Sequence, residues 1–250
     1  MLNKPITYLT PPAAPPPRAL GFPDLRKEWR IARETARLTL SAPTLAFAPR
    51  GKGQPVMLTP GWQAPQSSME ALRRFVRGRG YHAEHWGLGT NRGDVAHYLQ
   101  TLIPRVEERA QQAGKPVSLI GWSLGGVISR EIAREIPDAV ACVITFGSPV
   151  VGGPLFTATS SRFSNEDREK IRQRIAERER SKRINVPIAT IFSRLDSIVH
   201  WPACIDRHSP DVVHYEVFST HLSMGLDPSV WRLVADTLYE HTGGNRRSQS

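Results

Sequence analysis

The chain has 250 residues, 40% of them hydrophobic, with 33 Lys and Arg against 23 Asp and Glu, a formal net charge of +10. That apolar fraction and length suit one globular domain with a sizeable core rather than a disordered chain. No apolar run approaches the ~20 residues of a membrane-spanning helix, and Met1 to Thr10 has no apolar stretch of the secretory kind. Only two cysteines occur, Cys142 and Cys204, too few for a disulfide framework or a metal set. No metal and no cofactor is expected, and a reducing cytoplasm is the simplest compartment. The positive charge reads first as solvated surface charge, with a weak contact with an anionic membrane surface as the alternative. No zinc-finger spacing or RNP-like aromatic pair accompanies it, so no specific nucleic acid is expected.

In chain order, residues 1–20 form a flexible arm with an extended polyproline run from Pro11 to Pro17. Leu25 to Leu40 reads as an amphipathic helix that packs across the main domain or lies on a membrane, with Leu25, Trp29, Ile31, Ala32, Ala36 and Leu38 between arginines and Asp24 as N-cap. From Val56 the chain alternates between short apolar strands and longer helical stretches. Strands are expected at Val56 to Thr59, Tyr81 to Trp86, Val117 to Trp122, Val140 to Phe146, Val186 to Phe192 and Val212 to Phe218. Helices are expected at Ala64 to Arg79, Asp94 to Ala113 with a bend at Pro104, Leu124 to Ile136 and Pro228 to His241. Strands separated by helices imply right-handed crossovers and an α/β fold with a mainly parallel sheet, covered on both faces. An arginine- and glutamate-rich segment, 154–185, breaks this rhythm. Ser164-Asn-Glu-Asp167 has the form of a capping box, and Ile171 and Ile175 make a sparse apolar face. The segment reads either as a lid over a substrate pocket or as a solvated crossover helix. Residues 21–250 are expected to form a single domain.

The chemistry is concentrated in Val117-Ser-Leu-Ile-Gly-Trp-Ser-Leu-Gly-Gly126, where a strand ends in Gly-x-Ser-x-Gly and a helix begins at once. The turn must be so tight that a side chain at either flanking glycine would collide with the neighbouring strand or helix. Such a turn lifts the Ser123 hydroxyl above the sheet edge. A serine hydroxyl is a weak nucleophile at neutral pH and needs a base, an acid to orient that base, and donors where negative charge develops.

His221, in Ser219-Thr-His-Leu-Ser-Met-Gly225, directly follows the last strand and is the best candidate for the base, with His200, His208 and His214 as rivals. Asp196, in Ser193-Arg-Leu-Asp-Ser-Ile-Val199, follows the penultimate strand and is the candidate acid, with Asp206 and Asp211 as fallbacks. The donors are expected from the backbone N–H groups of Leu124 and of Trp62, which follows the Pro60-Gly61 turn after the first strand. Trp62, Trp86, Trp122 and Trp201 all fall near expected strand ends, as pocket walls or as core.

Leu58-Thr-Pro-Gly-Trp62, Trp86-Gly-Leu-Gly-Thr-Asn-Arg92, Gly121-Trp-Ser-Leu-Gly-Gly126, Thr145-Phe-Gly-Ser-Pro149, Ser193 to Val199 and Thr220-His-Leu-Ser-Met-Gly225 together resemble the α/β-hydrolase superfamily, and within it the bacterial serine esterases and lipases. The resemblance spans roughly Gln54 to Glu240. It implies a compact sheet of about six strands with helices on both faces, a Ser123–Asp196–His221 triad, and an oxyanion hole from Trp62 and Leu124. It also implies hydrolysis of small-molecule or lipid carboxylic esters through an acyl-enzyme. Two alternatives stand beside it: an acyltransferase using the same triad, and a basic membrane-docking scaffold with incidental hydrolysis. Where the family usually has His-Gly at the oxyanion loop, this chain has Pro60-Gly61.

Overall fold

A computed structural model describes residues 37, 38, 40–150 and 164–242. The proline arm, nearly all of the expected Leu25 to Leu40 helix and residues 154–163 of the insertion lie outside the described residues.

Six strands form one fully parallel sheet: β1 (Pro55–Thr59), β2 (His82–His85), β3 (Val117–Trp122), β4 (Val140–Phe146), β5 (Ile188–Phe192) and β6 (Val212–Glu216). Their spatial order is β2-β1-β3-β4-β5-β6. The order reverses direction at β1 and β3, which puts the crevice of an open α/β sheet above the carboxyl ends of those strands. The registers Thr59↔Gly121, Trp122↔Phe146, Phe146↔Ile191 and Phe192↔Glu216 align those carboxyl ends into one edge. Every residue of β1 and β5 is buried, as expected for strands covered on both faces.

Side-chain alternation divides the core into two layers. Val56, Leu58, Ile120, Ile144, Phe146 and Ile191 face one side, where α2 (Glu70–Gly78) and α6 (Pro228–Thr242) pack through Leu72, Val76, Val230 and Val234. The short helix α1 (Ala42–Ala46) adds Leu45 to this layer. Met57, Leu119, Val143 and Ile188 face the other side, against α3 (Val95–Ala113) and α4 (Leu124–Glu135). Each fully buried side chain of this size contributes roughly 1.5–3 kcal/mol relative to exposure. The expected helix starting at Ala64 begins instead as a 3-10 turn at Gln66–Met69 before α2. Helix α3 has the boundaries its sequence signals. The Asp94 carboxylate caps the His97 N–H at 3.1 Å, Gly114 ends the helix in the left-handed region at φ 58°, and Pro104 sits inside it without ending it. Cys204 lies in a buried 3-10 turn, Trp201–Cys204.

The described part of the insertion is helix α5 (Asn165–Ser181), which joins β4 to β5 and is held by charge at its C-terminal end. Glu179 is buried and pairs with Arg134 at 2.5 Å and with Arg130 at 3.6 Å, both on the buried face of α4. Arg130 also pairs with the buried Asp206 at 2.5 Å. Outside this layer, Arg178 binds Glu131 and Glu135, and Lys182 binds Glu135. The outer pairs are exposed enough to add little, whereas removing one partner of the buried set leaves an uncompensated charge.

Candidate active site

Ser123 sits between β3 and α4 at φ 54°, ψ −122°, a conformation that L-residues rarely adopt. Its N–H is tied to the Phe146 carbonyl at 2.9 Å. The neighbouring glycines are explained by close approach. A Cβ on Gly125 would overlap the Thr59 carbonyl, and one on Gly121 would overlap the Gly125 backbone. Helix α4 therefore lies directly against the end of β1, and Ser123 is left partly buried at the crevice. The Leu124 N–H lies in the first turn of α4, where no intrahelical acceptor exists.

Asp196 and His221 meet. His221 Nδ1 is 2.7 Å from Asp196 Oδ2, and the two side chains are 4% and 1% exposed. The other carboxylate oxygen, Oδ1, accepts the N–H groups of Ile198 and Val199, each at 2.8 Å. The carboxylate is thereby fixed from both sides by a turn following β5. His221 is held by the turn after β6, in which the Thr220 N–H donates to Ser223 Oγ and the Met224 N–H to the Thr220 carbonyl.

Ser123 and the Asp196–His221 pair contact consecutive residues, Phe146 and Gly147. Ser123 is bonded to Phe146, and Gly147 lies against the pair, so that a Cβ there would sit 3.1 Å from His221 Nδ1 and 3.3 Å from Asp196 Oδ2. The Trp122 ring, next to Ser123, is 5.6 Å from the imidazole. The closed hydrogen bond is the Asp196–His221 one. The Ser123 hydroxyl has no hydrogen-bond partner among the described residues, and such contacts commonly tighten only when substrate is present.

The rival residues lie apart from this pair or are engaged elsewhere. His214 lies buried within β6, and its Nε2 accepts the Asp206 N–H at 3.1 Å. Asp206 belongs to the Arg130 pair, Asp211 and His208 are exposed, and His200 precedes the Trp201–Cys204 turn. Burial penalises the Asp206 carboxylate, yet the charge of Arg130 and donors from Ser209 and His208 outweigh it and hold the group below the usual carboxylate range. Burial pushes the Cys142 thiol up to about 12 and raises Cys204 well above its ordinary value, with the Asp196 charge adding to the latter.

The loop after β1 crosses in front of Ser123. A Cβ on Gly61 would lie 3.2 Å from Ser123 Cβ, and Gln63, the residue after Trp62, has φ 58°. The Trp62 side chain is 43% exposed at the crevice rim. The tryptophans expected near strand ends divide. Trp86 is fully buried core, edge-on to Tyr98, and Trp201 stacks on Phe192 beneath Arg194. Trp62 and Trp122 border the site.

Gly147 and Asn91 lie within two of the motifs that carry the resemblance, Thr145 to Pro149 and Trp86 to Arg92, but nothing in spacing or residue type gives either of them a role. Among the described residues, no group of three or more His, Cys, Asp or Glu side chains could hold a metal ion.

The likeness to known proteins is consistent with this geometry. Pimeloyl-acyl-carrier-protein methyl ester esterase from Sodalis glossinidius is 39% identical over 62 residues, 25% of this chain. That match spans only 23% of the esterase's length. Monoacylglycerol lipase from Paleococcus ferrophilus superimposes with a TM-score of 0.55 at 14% identity, covering 76% of this chain and 97% of the lipase. Est1E from Butyrivibrio proteoclasticus, solved with ferulic acid, gives a TM-score of 0.57 at 13% identity over 76% and 88% of the two chains. These likenesses establish the α/β-hydrolase fold. Residues 84–227, more than half of the sequence and inclusive of Ser123, Asp196 and His221, match one family throughout, and the chain belongs to the PGAP1-like alpha/beta domain family.

Proposed function

We propose that this protein is a serine hydrolase that cleaves carboxylic esters through an acyl-enzyme on Ser123. The observation that carries the reading is the buried 2.7 Å hydrogen bond between Asp196 and His221 beside a serine in a strained strand-to-helix turn. Structural relatives include a monoacylglycerol lipase and Est1E, which was solved with ferulic acid, and a curated relative is a methyl ester esterase.

In this reaction Ser123 Oγ attacks the ester carbonyl carbon while His221 Nε2 takes the hydroxyl proton. The carbonyl oxygen gathers the negative charge and is met by the N–H groups of Trp62 and Leu124. Collapse breaks the bond to the alkoxy oxygen, His221 returns its proton to that oxygen, and the alcohol leaves. Water then gives a proton to His221 and attacks the acyl carbon, and the carboxylic acid departs as Ser123 regains its proton. Asp196 keeps Nδ1 protonated, so that Nε2 is the lone-pair nitrogen in the resting state, and stabilises the imidazolium that forms. Oxyanion donors are worth the most in such a scheme, about 3 kcal/mol of barrier each.

The test is turnover of p-nitrophenyl esters of graded chain length, together with labelling by a fluorophosphonate. Wild type is expected to hydrolyse the esters and to be labelled at Ser123, and Ser123→Ala to do neither. Absence of labelling in the folded wild type would sink the proposal. Product analysis with a competing alcohol separates hydrolysis from acyl transfer to that alcohol.

A further inference from the structure

Asn91 lies in the loop between β2 and α3, and it is fully buried. Its four hydrogen-bonding groups are all engaged, and three of them hold the loop that follows β1. The side-chain Nδ2 donates to the Pro60 carbonyl at 2.8 Å. The backbone carbonyl accepts the Gln63 N–H at 2.7 Å, and the backbone N–H donates to the Ala64 carbonyl at 3.0 Å. The fourth group, Oδ1, accepts the Gly93 N–H at 3.1 Å and fixes the side chain's own orientation. Between the points held, at Pro60 and at Gln63, lie only Gly61 and Trp62.

The loop needs such a clamp. Gln63 is one of two non-glycine residues at positive φ among the described residues, the other being Ser123. A residue in this region is held there by its surroundings rather than by its own preference. Pro60 is buried, and its carbonyl would be a buried acceptor without Asn91 Nδ2. Gly61 lies so near Ser123 that a Cβ on it would be 3.2 Å from Ser123 Cβ, so any relaxation of the loop moves the backbone next to the nucleophile.

We propose that Asn91 is the positioning residue of the oxyanion hole: its side-chain amide and its backbone together set the direction of the Trp62 N–H. The inference rests on the serine-hydrolase reading above, in which that N–H meets the developing oxyanion. Asn91 touches no substrate. It acts through the course of residues 60–64.

The experiment compares wild type, Asn91→Ala and Ser123→Ala for kcat and KM with a p-nitrophenyl ester. It also measures affinity for a trifluoromethyl ketone, whose carbonyl carbon bonds to Ser123 Oγ as His221 takes the hydroxyl proton, and whose oxygen becomes the anion that the hole must hold. Asn91→Ala is expected to lose kcat by on the order of 10- to 100-fold, with KM within about twofold of wild type and inhibitor affinity falling in parallel with kcat/KM. A loss of packing alone would lower the melting temperature without tying inhibitor affinity to kcat. A folded Asn91→Ala with wild-type kcat and inhibitor affinity overturns the proposal while leaving the hydrolase reading intact. An inactive wild type, or a Ser123→Ala as active as wild type, removes that reading instead. If Asn91→Ala does not fold, the wild type still decides: the Asn91 side-chain amide resonances must shift when the trifluoromethyl ketone binds. Unchanged resonances overturn the proposal.

Discussion

Asp196 and His221 lie 25 residues apart in sequence and share a 2.7 Å hydrogen bond from which water is almost wholly excluded. Oδ1 of the same carboxylate is occupied by the N–H groups of Ile198 and Val199, so Oδ2 alone is turned to the imidazole. A charge-assisted bond in such surroundings is stronger than an exposed one and holds the ring in one tautomer.

That division of labour predicts the effect of Asp196→Asn. The new amide must turn its oxygen toward the Ile198 and Val199 donors, which presents its NH2 to His221 Nδ1. The imidazole then carries its proton on Nε2 and cannot accept one from Ser123. On the proposed mechanism kcat falls by on the order of 10⁴-fold, while the melting temperature changes little. Steady-state kinetics with thermal melting check this, and a variant retaining a tenth of the wild-type kcat would contradict it.

Gly147 sets a second expectation. At φ 57° a side chain is strained there by about 1–2 kcal/mol. Its Cβ would also press on both partners of the Asp196–His221 bond, at 3.3 Å and 3.1 Å. Gly147→Ala should fold with a lowered melting temperature and lose kcat by roughly tenfold or more, with the low-field imidazole proton resonance displaced. Wild-type turnover and an unmoved resonance would show that the space is not needed.

Acid should weaken the protein in two windows. Burial pushes His214 below the usual histidine range, and its neutral Nε2 accepts the Asp206 N–H. The unfolded chain takes up that proton below about pH 6.5, so this contribution is present above that pH and lost as pH falls through the depressed folded value. Asp206 also titrates below its unfolded value, and its share is complete above about pH 4 and lost below it. Asp206→Asn leaves Arg130, among the described residues, with only the longer Glu179 ion pair and should cost about 3–5 kcal/mol at pH 7. Urea titrations from pH 7 to 3 on both proteins test this. A wild-type stability that rises on acidification would refute it.

The two thiols should be silent. Cys142 and Cys204 are fully buried, and both titrate above the ordinary cysteine range. The thiolate is the reactive form. Iodoacetamide at pH 8 is therefore expected to leave both unmodified and turnover unchanged in the native protein, with both alkylated in guanidinium chloride. Rapid modification of native protein would mean that one of these layers opens to solvent.

The order and type of the elements followed from patterning alone, because parallel strands buried on both faces must be short and apolar and the helices between them must be amphipathic. The same logic pointed to Ser123: Gly125 lies against the end of β1, and Gly121 lies against the backbone of Gly125. Asp196 and His221 were chosen over Asp206 and His214 by their positions after β5 and β6, and the structure brings the chosen pair together. Trp86 shows the limit of that reasoning, since a tryptophan at a strand end can wall a pocket or fill the core, and this one is buried against Tyr98. The segment 154–185 was equally open, and the buried pairs of Glu179 with Arg130 and Arg134 are what tie the end of α5 to α4.

By itself the chain determined the sheet, its crossovers and the strand ends where chemistry could gather, because hydrophobic period and turn residues act over a few neighbouring positions. Only the tertiary structure decided that Asn91 grips Pro60 and Gln63, that Gly147 makes room for an imidazole, and that Asp206 answers Arg130 rather than a histidine. Those choices depend on which loops meet across strands, and no local pattern in the residues encodes a contact made between distant segments.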